Sequence, residues 1–335
     1  MVTIKDIARE SGYSVSTVSR VLNDRRDVSP DAKKKIDEIV AKYNFVPNNN
    51  AKHLKQTASK TIGVLIKGTS NMLFANILEE IQRIIEKTSY TLVVSYLDED
   101  ANEVEQALVI CRERKPMGLL FLGGNPDYFK DGFAQVEIPC VLVTNRADGL
   151  HFPNLSSVAT DDIAAAECAV DRLIEQGHTH IGIVGGDLKM SHTSKQRYRG
   201  CQKSFEEHGI SFDEENDYAK ARFSFDSAYR ATERLMQKAP DISAIFAMSD
   251  VMAIGAIRAL IDLNYKVPQD ISVIGFDGTA LAEYYHPKLA TIKQQYQTLA
   301  ARSIELLFGQ LEFKRDAIHE VVPFEFVSGE SIRKL

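Results

Sequence analysis

Cysteine is scarce and scattered. Cys111, Cys140, Cys168 and Cys201 stand about thirty residues apart, and none belongs to a C-x-x-C pair. That spacing speaks against a disulfide framework or a zinc site, and each thiol is expected to be a buried small hydrophobe. None of the eight histidines sits in an H-E-x-x-H helix, so neither a metal nor another cofactor is expected. No run of roughly 18 uncharged apolar residues occurs, so no transmembrane helix is expected. The opening MVTIKDIARESG lacks the apolar stretch of a secretion signal, and the expected location is the cytoplasm. Neither G-x-G-x-x-G, nor a P-loop, nor a G-x-S-x-G elbow is found; Gly123-Gly124 and Gly185-Gly186 follow apolar runs without the phosphate fingerprint. The expectation is therefore a protein that is not an enzyme.

What is present is an ordinary globular composition with an uneven charge. The 335 residues suggest two domains or a little more at about 150 residues each. A hydrophobic fraction of 44%, with 26% charged residues and a mean hydropathy of −0.19, allows a large core. Residues 1–60 carry 12 Lys and Arg against 7 Asp and Glu, whereas the remainder carries 28 against 39. A basic leader on an acidic body points to an anionic partner at one end only, nucleic acid first.

From Thr3 to Tyr43 the pattern predicts three short helices. Thr3 caps the first, with Ile4, Ile7 and Ala8 on one face, and Gly12 turns the chain out of it. Ser14 caps the second, whose Val18, Val21 and Leu22 form an inward stripe. Ser29-Pro30-Asp31 opens the third, with Ile36, Ile39 and Val40 as its apolar positions. The spacing T-I-x-D-I-A-x-x-x-G-x-S-x-x-T-V-S-R-V-L-N is that of a helix-turn-helix, in which small Ala8 lets two helices cross closely and leaves the polar face of the second free for a major groove.

This segment resembles the N-terminal signature of the lactose-repressor (LacI/GalR) family of bacterial transcription regulators. The stretch Tyr43-Asn44-Phe45-Val46-Pro47-Asn48-Asn49-Asn50-Ala51-Lys52-His53-Leu54 is similar to the hinge of that family, and the rest of the chain to its effector-binding core. The resemblance implies that Val15, Ser16 and Arg20 face base edges. Thr3, Ser14, Thr17, Ser19 and Asn23 fall on the DNA side, where short polar groups position the helix on phosphate and sugar. It also implies DNA contacts for Asn48, for Lys52, which keeps a phosphate contact but lacks the planar fork of the arginine commonest there, and for Leu54, a minor-groove wedge.

Beyond Thr61, short branched apolar runs (TIGVLIK, YTLVVSYL, GLLFLGG, IPCVLVT) alternate with helical stretches, and the rhythm restarts after Asp161 with HIGIVGG, SAIFAMS and ISVIGFD. Two doubly wound parallel sheets are expected, with a ligand cleft at their strand ends. The fold class is thus an all-α helix-turn-helix domain plus an α/β two-lobed core resembling periplasmic binding proteins. The expected division is a DNA-binding domain at 1–46, a hinge and linker at 47–60 and a core at 61–335, with about 61–160 and 292–320 in the first lobe and about 161–291 and 321–335 in the second.

For the cleft the resemblance selects Phe74, Asn145, Arg146, Asp161, Arg197, Phe223, Ser249, Asp250 and Asp277. Phe74 also stands at core spacing from Ile77 and Leu78, and Ser249-Asp250 equally suits a helix cap. Aromatic rings beside charged groups suit a sugar effector, and some suit a purine. A homodimer on a pseudo-palindromic double-stranded operator is implied, with no membrane partner. The leading expectation is a ligand-controlled regulator, most readily a repressor of carbohydrate-utilisation genes. A purine- or sugar-phosphate-responsive regulator is the alternative, and a transport receptor or an enzyme fits less well.

Overall fold

The computed structural model describes residues 3–22, 25, 28–43, 60–68 and 70–335. The chain divides into two compact units, Met1–Ser59 and Lys60–Leu335. In the smaller unit, helices α1 (Ile4–Ser11), α2 (Val15–Leu22) and α3 (Pro30–Lys42) close around fully buried Ile7, Val18 and Ile36, with Ala8 and Val21 beside them. The Asp6 carboxylate accepts the Thr3 backbone N–H at 3.0 Å and its hydroxyl at 2.7 Å, which caps α1 and holds the Asp6 carboxyl below its usual range. Gly12 ends α1 at φ 74°, its N–H donating to the Ala8 carbonyl at 3.0 Å. Ser29 accepts the Ala32 N–H at 3.4 Å, with Pro30 at the first helical position of α3.

Among the described residues, the larger unit carries two six-stranded sheets. The first holds β1 (Thr61–Lys67), β2 (Thr91–Leu97), β3 (Gly118–Leu122), β4 (Cys140–Val143), β5 (Leu155–Thr160) and β11 (His319–Val322), all parallel, in the order β11-β5-β4-β3-β1-β2. The second holds β6 (Ile181–Gly185), β7 (Tyr218–Lys220), β8 (Ala244–Ala247), β9 (Ser272–Asp277), β10 (Ala290–Gln294) and β12 (Phe324–Val327) in the order β12-β10-β9-β8-β6-β7. In this sheet β12 alone is antiparallel to its neighbour.

Helices cover both faces, so the central strands bury every residue and read as continuous apolar runs rather than as an alternation. In the first sheet Val64, Leu120, Leu122 and Val141 face one core, and Leu65, Leu119, Phe121 and Leu142 face the other.

The chain passes between the sheets three times, and two of these crossings differ from the expected boundaries. Residues 292–294 stay in the second sheet, because β10 pairs with β9 through Lys293 and runs on to Gln294. Val321 and Val322 stay in the first, paired with Ala159 and Thr160. The last crossing falls at Pro323, which has no N–H to extend a ladder. Cys140 and Cys201 are buried, whereas Cys111 and Cys168 are half-buried on helices whose outer faces meet solvent.

One contact fixes the second lobe with little slack. A Cβ added at Gly200, in the helix His192–Glu207, would lie 2.2 Å from the Ile163 carbonyl oxygen and 2.9 Å from the Glu167 nitrogen of the helix Asp162–Glu175. Gly200→Ala is therefore expected to destabilise the chain by about 1–3 kcal/mol through overpacking. Urea unfolding measures this, and an unchanged midpoint would contradict the backbone-to-backbone packing.

Candidate ligand cleft and DNA-reading helix

The carboxyl ends of the parallel strands converge on one cavity of about 580 Å³. Its lining takes Lys67 from the end of β1, Leu97 from β2, Gly123 and Gly124 after β3, Thr144 after β4, Lys220 from β7, Asp277 from β9 and Gln294 from β10. Ligands of open α/β sheets bind at such strand ends because the loops there are free to carry polar groups.

Arg197 and Asp277 form the buried end. The Arg197 Nε donates to Asp162 Oδ1 at 2.8 Å, its Nη1 donates to the Met248 carbonyl, and its guanidinium carbon lies 3.6 Å from the centroid of the Phe276 ring. Asp277 Oδ1 accepts the Gln294 Nε2 at 2.9 Å, with Arg197 Nη2 3.9 Å away. Burial raises the Asp277 carboxyl well above the usual range; Arg197 opposes the shift, and the nearby Asp250 adds to it. Asp277 also stands at φ 120°, a conformation that side chains rarely adopt. Next to it, Gly278 fits because a Cβ there would approach Lys293 Cβ to 2.5 Å.

Phe74, Arg197, Phe223 and Asp277 line the cavity. Phe74 is at once wall and core, its ring packed so closely on Gly123 that a Cβ there would meet it at 2.6 Å. Five other expected contacts lie outside the lining, each for a local reason. Asn145 is buried and spends its amide inside the protein, donating to the Gly124 carbonyl at 2.7 Å and accepting the Thr193 hydroxyl at 3.1 Å. Arg146 turns outward to Asp148, with two bonds of 2.9 Å. Asp161 caps its helix through the Ala164 N–H, and Ser249 does the same through Met252. Asp250 is fully buried and saturated by the Thr279 N–H and the hydroxyls of Thr279 and Thr291.

Sequence reasoning missed the groups that bridge the lobes. Glu99, after β2, lies 2.7 Å from Arg222 Nε and accepts the Phe223 N–H at 3.3 Å, while Arg222 Nη2 reaches Asp98 at 2.6 Å. Near the crossing, the Thr160 hydroxyl donates to Gln294 Oε1 at 2.9 Å. The only signal in the sequence was position, directly after an apolar run.

In the smaller unit, α2 turns Val18 and Val21 inward and leaves Ser14, Val15, Ser16 and Arg20 exposed, with Thr17 and Ser19 half-buried. Val15 is 42% exposed, and an aliphatic residue so placed has no core of its own to enter. Ser14 meets the hydroxyls of Ser16 and Thr17 at 2.7 and 2.9 Å, and Thr3 is exposed at the start of α1. Asn23, Asn48, Lys52 and Leu54 lie outside the described residues.

The family model described as "Bacterial regulatory proteins, lacI family" matches residues 3–48, and that of the "Periplasmic binding protein-like domain" matches residues 170–332. The HTH-type transcriptional regulator MalR of Clostridium butyricum is 37% identical over 332 residues, covering 98% of each chain. The chain belongs to the lacI family of bacterial regulatory proteins. A ribose operon repressor of Haemophilus influenzae is 30% identical, with 93% of this chain and 92% of that protein aligned. The lac repressor dimer bound to operator and the anti-inducer ONPF shares the fold at TM-score 0.73 and 24% identity over 99% of both chains. As a member of the lacI family, the protein is a DNA-binding regulator with a ligand-binding core and not an enzyme. Among the described residues no helix is long and apolar enough to cross a membrane.

Asp277 makes stability depend on pH. An unfolded aspartate loses its proton near pH ~3.9, whereas the raised folded carboxyl keeps it to higher pH. The native state then binds more protons, so this group lowers stability as pH rises from about 4 through neutrality. Asp277→Asn is expected to flatten that slope. Urea midpoints between about pH 5 and 8.5 test it, and parallel profiles for both proteins would contradict a protonated Asp277.

Proposed function

We propose that the protein is a homodimeric repressor of carbohydrate-utilisation genes whose operator affinity is set by a sugar bound between the two lobes. The observation that carries this reading is the cavity at the strand ends, where the rings of Phe74 and Phe223 accompany the Arg197–Asp277 pair. Aromatic faces cover the apolar faces of a pyranose, a guanidinium fork donates to ring or hydroxyl oxygens, and a carboxyl group takes paired hydroxyl bonds. The kinship with a ribose operon repressor and the shared fold of the operator-bound lac repressor dimer support the reading.

On the DNA side, Val15, Ser16 and Arg20 are the base-reading residues. Thr3, Ser14, Thr17, Ser19 and Asn23 position α2 on the backbone, Asn48 contacts the DNA, Lys52 contacts a phosphate, and Leu54 wedges into the minor groove. Each protomer reads one half-site, so two copies meet a pseudo-palindrome. A ligand that bridges the lobes changes their relative closure, and the coupling is reciprocal: whatever the sugar does to operator affinity, the operator does to sugar affinity.

Two kinds of variant test the assignment. Arg197→Ala removes a charged donor and is expected to weaken sugar binding roughly 10- to 100-fold while sparing unliganded operator binding. Leu54→Ala is expected to weaken operator binding and reduce DNA bending while sparing the sugar. Fluorescence anisotropy on a pseudo-palindrome from the protein's own promoter region, paired with calorimetry, reads both. If Arg197→Ala kept full sugar affinity, or Leu54→Ala full bending, that half of the assignment would fail.

A further inference from the structure

Every cationic side chain that lines the cleft already has a carboxylate of its own. Lys67 Nζ lies 2.9 Å from Glu103 Oε2, Arg197 Nε 2.8 Å from Asp162 Oδ1, and Lys220 Nζ 3.0 Å from Asp187 Oδ2. Arg222 lies 2.6 Å from Asp98 and 2.7 Å from Glu99. Among the described residues these four are all the lysines and arginines of the lining. The pKa of the lining His192 is held below its usual range by burial. An anionic ligand would meet no lining lysine or arginine without a carboxylate beside it, and Asp98, Glu99, Asp100 and Asp187 of the same lining would repel it. The Lys67–Glu103 and Arg197–Asp162 pairs are buried and costly to open, whereas those of Lys220 and Arg222 are half-exposed.

The cavity also outruns a single sugar ring. Its walls grade from the buried Phe74, Arg197, Asp277 and Gln294 to an open end at Tyr96, which is 57% exposed. About 580 Å³ is well within the range of pockets that enclose a drug-sized ligand and exceeds what one pyranose fills. A tyrosine there offers a ring face for stacking and a hydroxyl for hydrogen bonding.

From these two features, and resting on the sugar reading above, we infer that the effector is a neutral oligosaccharide of at least two rings, one held at Arg197 and Asp277 and the next at Tyr96. Phosphorylated sugars and nucleotides are disfavoured by the carboxylates that accompany every lining lysine and arginine.

Calorimetry of the full-length protein against maltose, cellobiose, trehalose, glucose, ribose, glucose 6-phosphate, trehalose 6-phosphate and hypoxanthine tests this. The expected result is one neutral disaccharide bound at least tenfold more tightly than any monosaccharide or phosphate, a margin that Tyr96→Ala removes. Tighter binding of a sugar phosphate overturns the charge argument, and equal binding of a monosaccharide overturns the second ring; both leave the sugar reading standing. Binding of hypoxanthine alone overturns the sugar reading as well, and no binding of any disaccharide overturns the present inference.

A second measurement needs no effector. At matched ionic strength, inorganic phosphate is expected to raise the unfolding midpoint of the Asp98→Asn/Glu99→Gln variant, in which Arg222 keeps only Asp100 at 3.8 Å, by more than the general salt effect seen in the natural protein. An equal rise in both proteins would overturn the inference.

Discussion

A single buried guanidinium organises the centre of the second lobe. Arg197 is taken out of water by the fold, and a charge so placed is tolerated only when hydrogen bonds and a counter-charge surround it. Three separate pieces of chain meet that demand: Asp162 at the start of the helix that follows the first crossing, the Met248 carbonyl after β8, and Phe276 with Asp277 at the end of β9. Moving Asp162 would leave the charge unpaired and moving the Met248 carbonyl would leave a donor unsatisfied, so a strand end and a helix terminus are tied to one side chain. The same side chain lines the cavity, and the constraint that holds the lobe together also shapes the surface offered to a ligand.

From that centre, coupling between the lobes runs through few and specific contacts. Glu99 of the first lobe grips Arg222 and the neighbouring Phe223 N–H of the second, so a cavity-lining ring is positioned by a carboxylate from across the cleft. Near the crossing, Gln294 binds Asp277 through its amide nitrogen and Thr160 through its oxygen. Thr193 reaches Asn145 between them. The Glu99, Thr160–Gln294 and Thr193–Asn145 bonds depend on the relative position of the lobes, and under the proposed function they are the contacts that a ligand between the lobes would bias.

The parts legible in the sequence were those written in local chemistry. Thr3 and Asp6, Gly12, and Ser29 with Pro30 each specify a helix end through residues a few positions apart, and the stripe of Val18 and Val21 specifies which face turns inward. The alternation of branched runs and helices specified two parallel sheets. The cleft was only half legible, because standing after a strand places a residue at the rim without fixing the direction of its side chain. Arg146 follows β4 but finds Asp148 two residues on, and Asp161 and Ser249 find the open N–H groups of the helices they begin. A nearby partner wins over a distant ligand. Glu99 and Arg222 were invisible for the converse reason, since their pairing is 123 positions long in sequence and exists only through the fold. The lobe boundaries slipped by two or three residues where strands run past the point at which the apolar pattern fades, up to Gln294 and to Pro323.

The raised carboxyl of Asp277 gives the buried end of the cleft a property that composition alone would not suggest. Were it a fixed anion like the exposed acids of the rim, it could only accept hydrogen bonds. Burial instead favours its protonated form, which carries one donor and keeps acceptor capacity. Gln294 already donates to Oδ1. Arg197 beside it is donor only, so the pair presents both halves of the hydrogen bonding that a hydroxyl group needs as donor and acceptor. A phosphate, which at neutral pH chiefly accepts, would use one half and repel the ionised form of the other. Burial thus pushes the Asp277 carboxyl toward its neutral form beside Arg197, and the strained φ of that residue occurs where Gln294 holds its side chain.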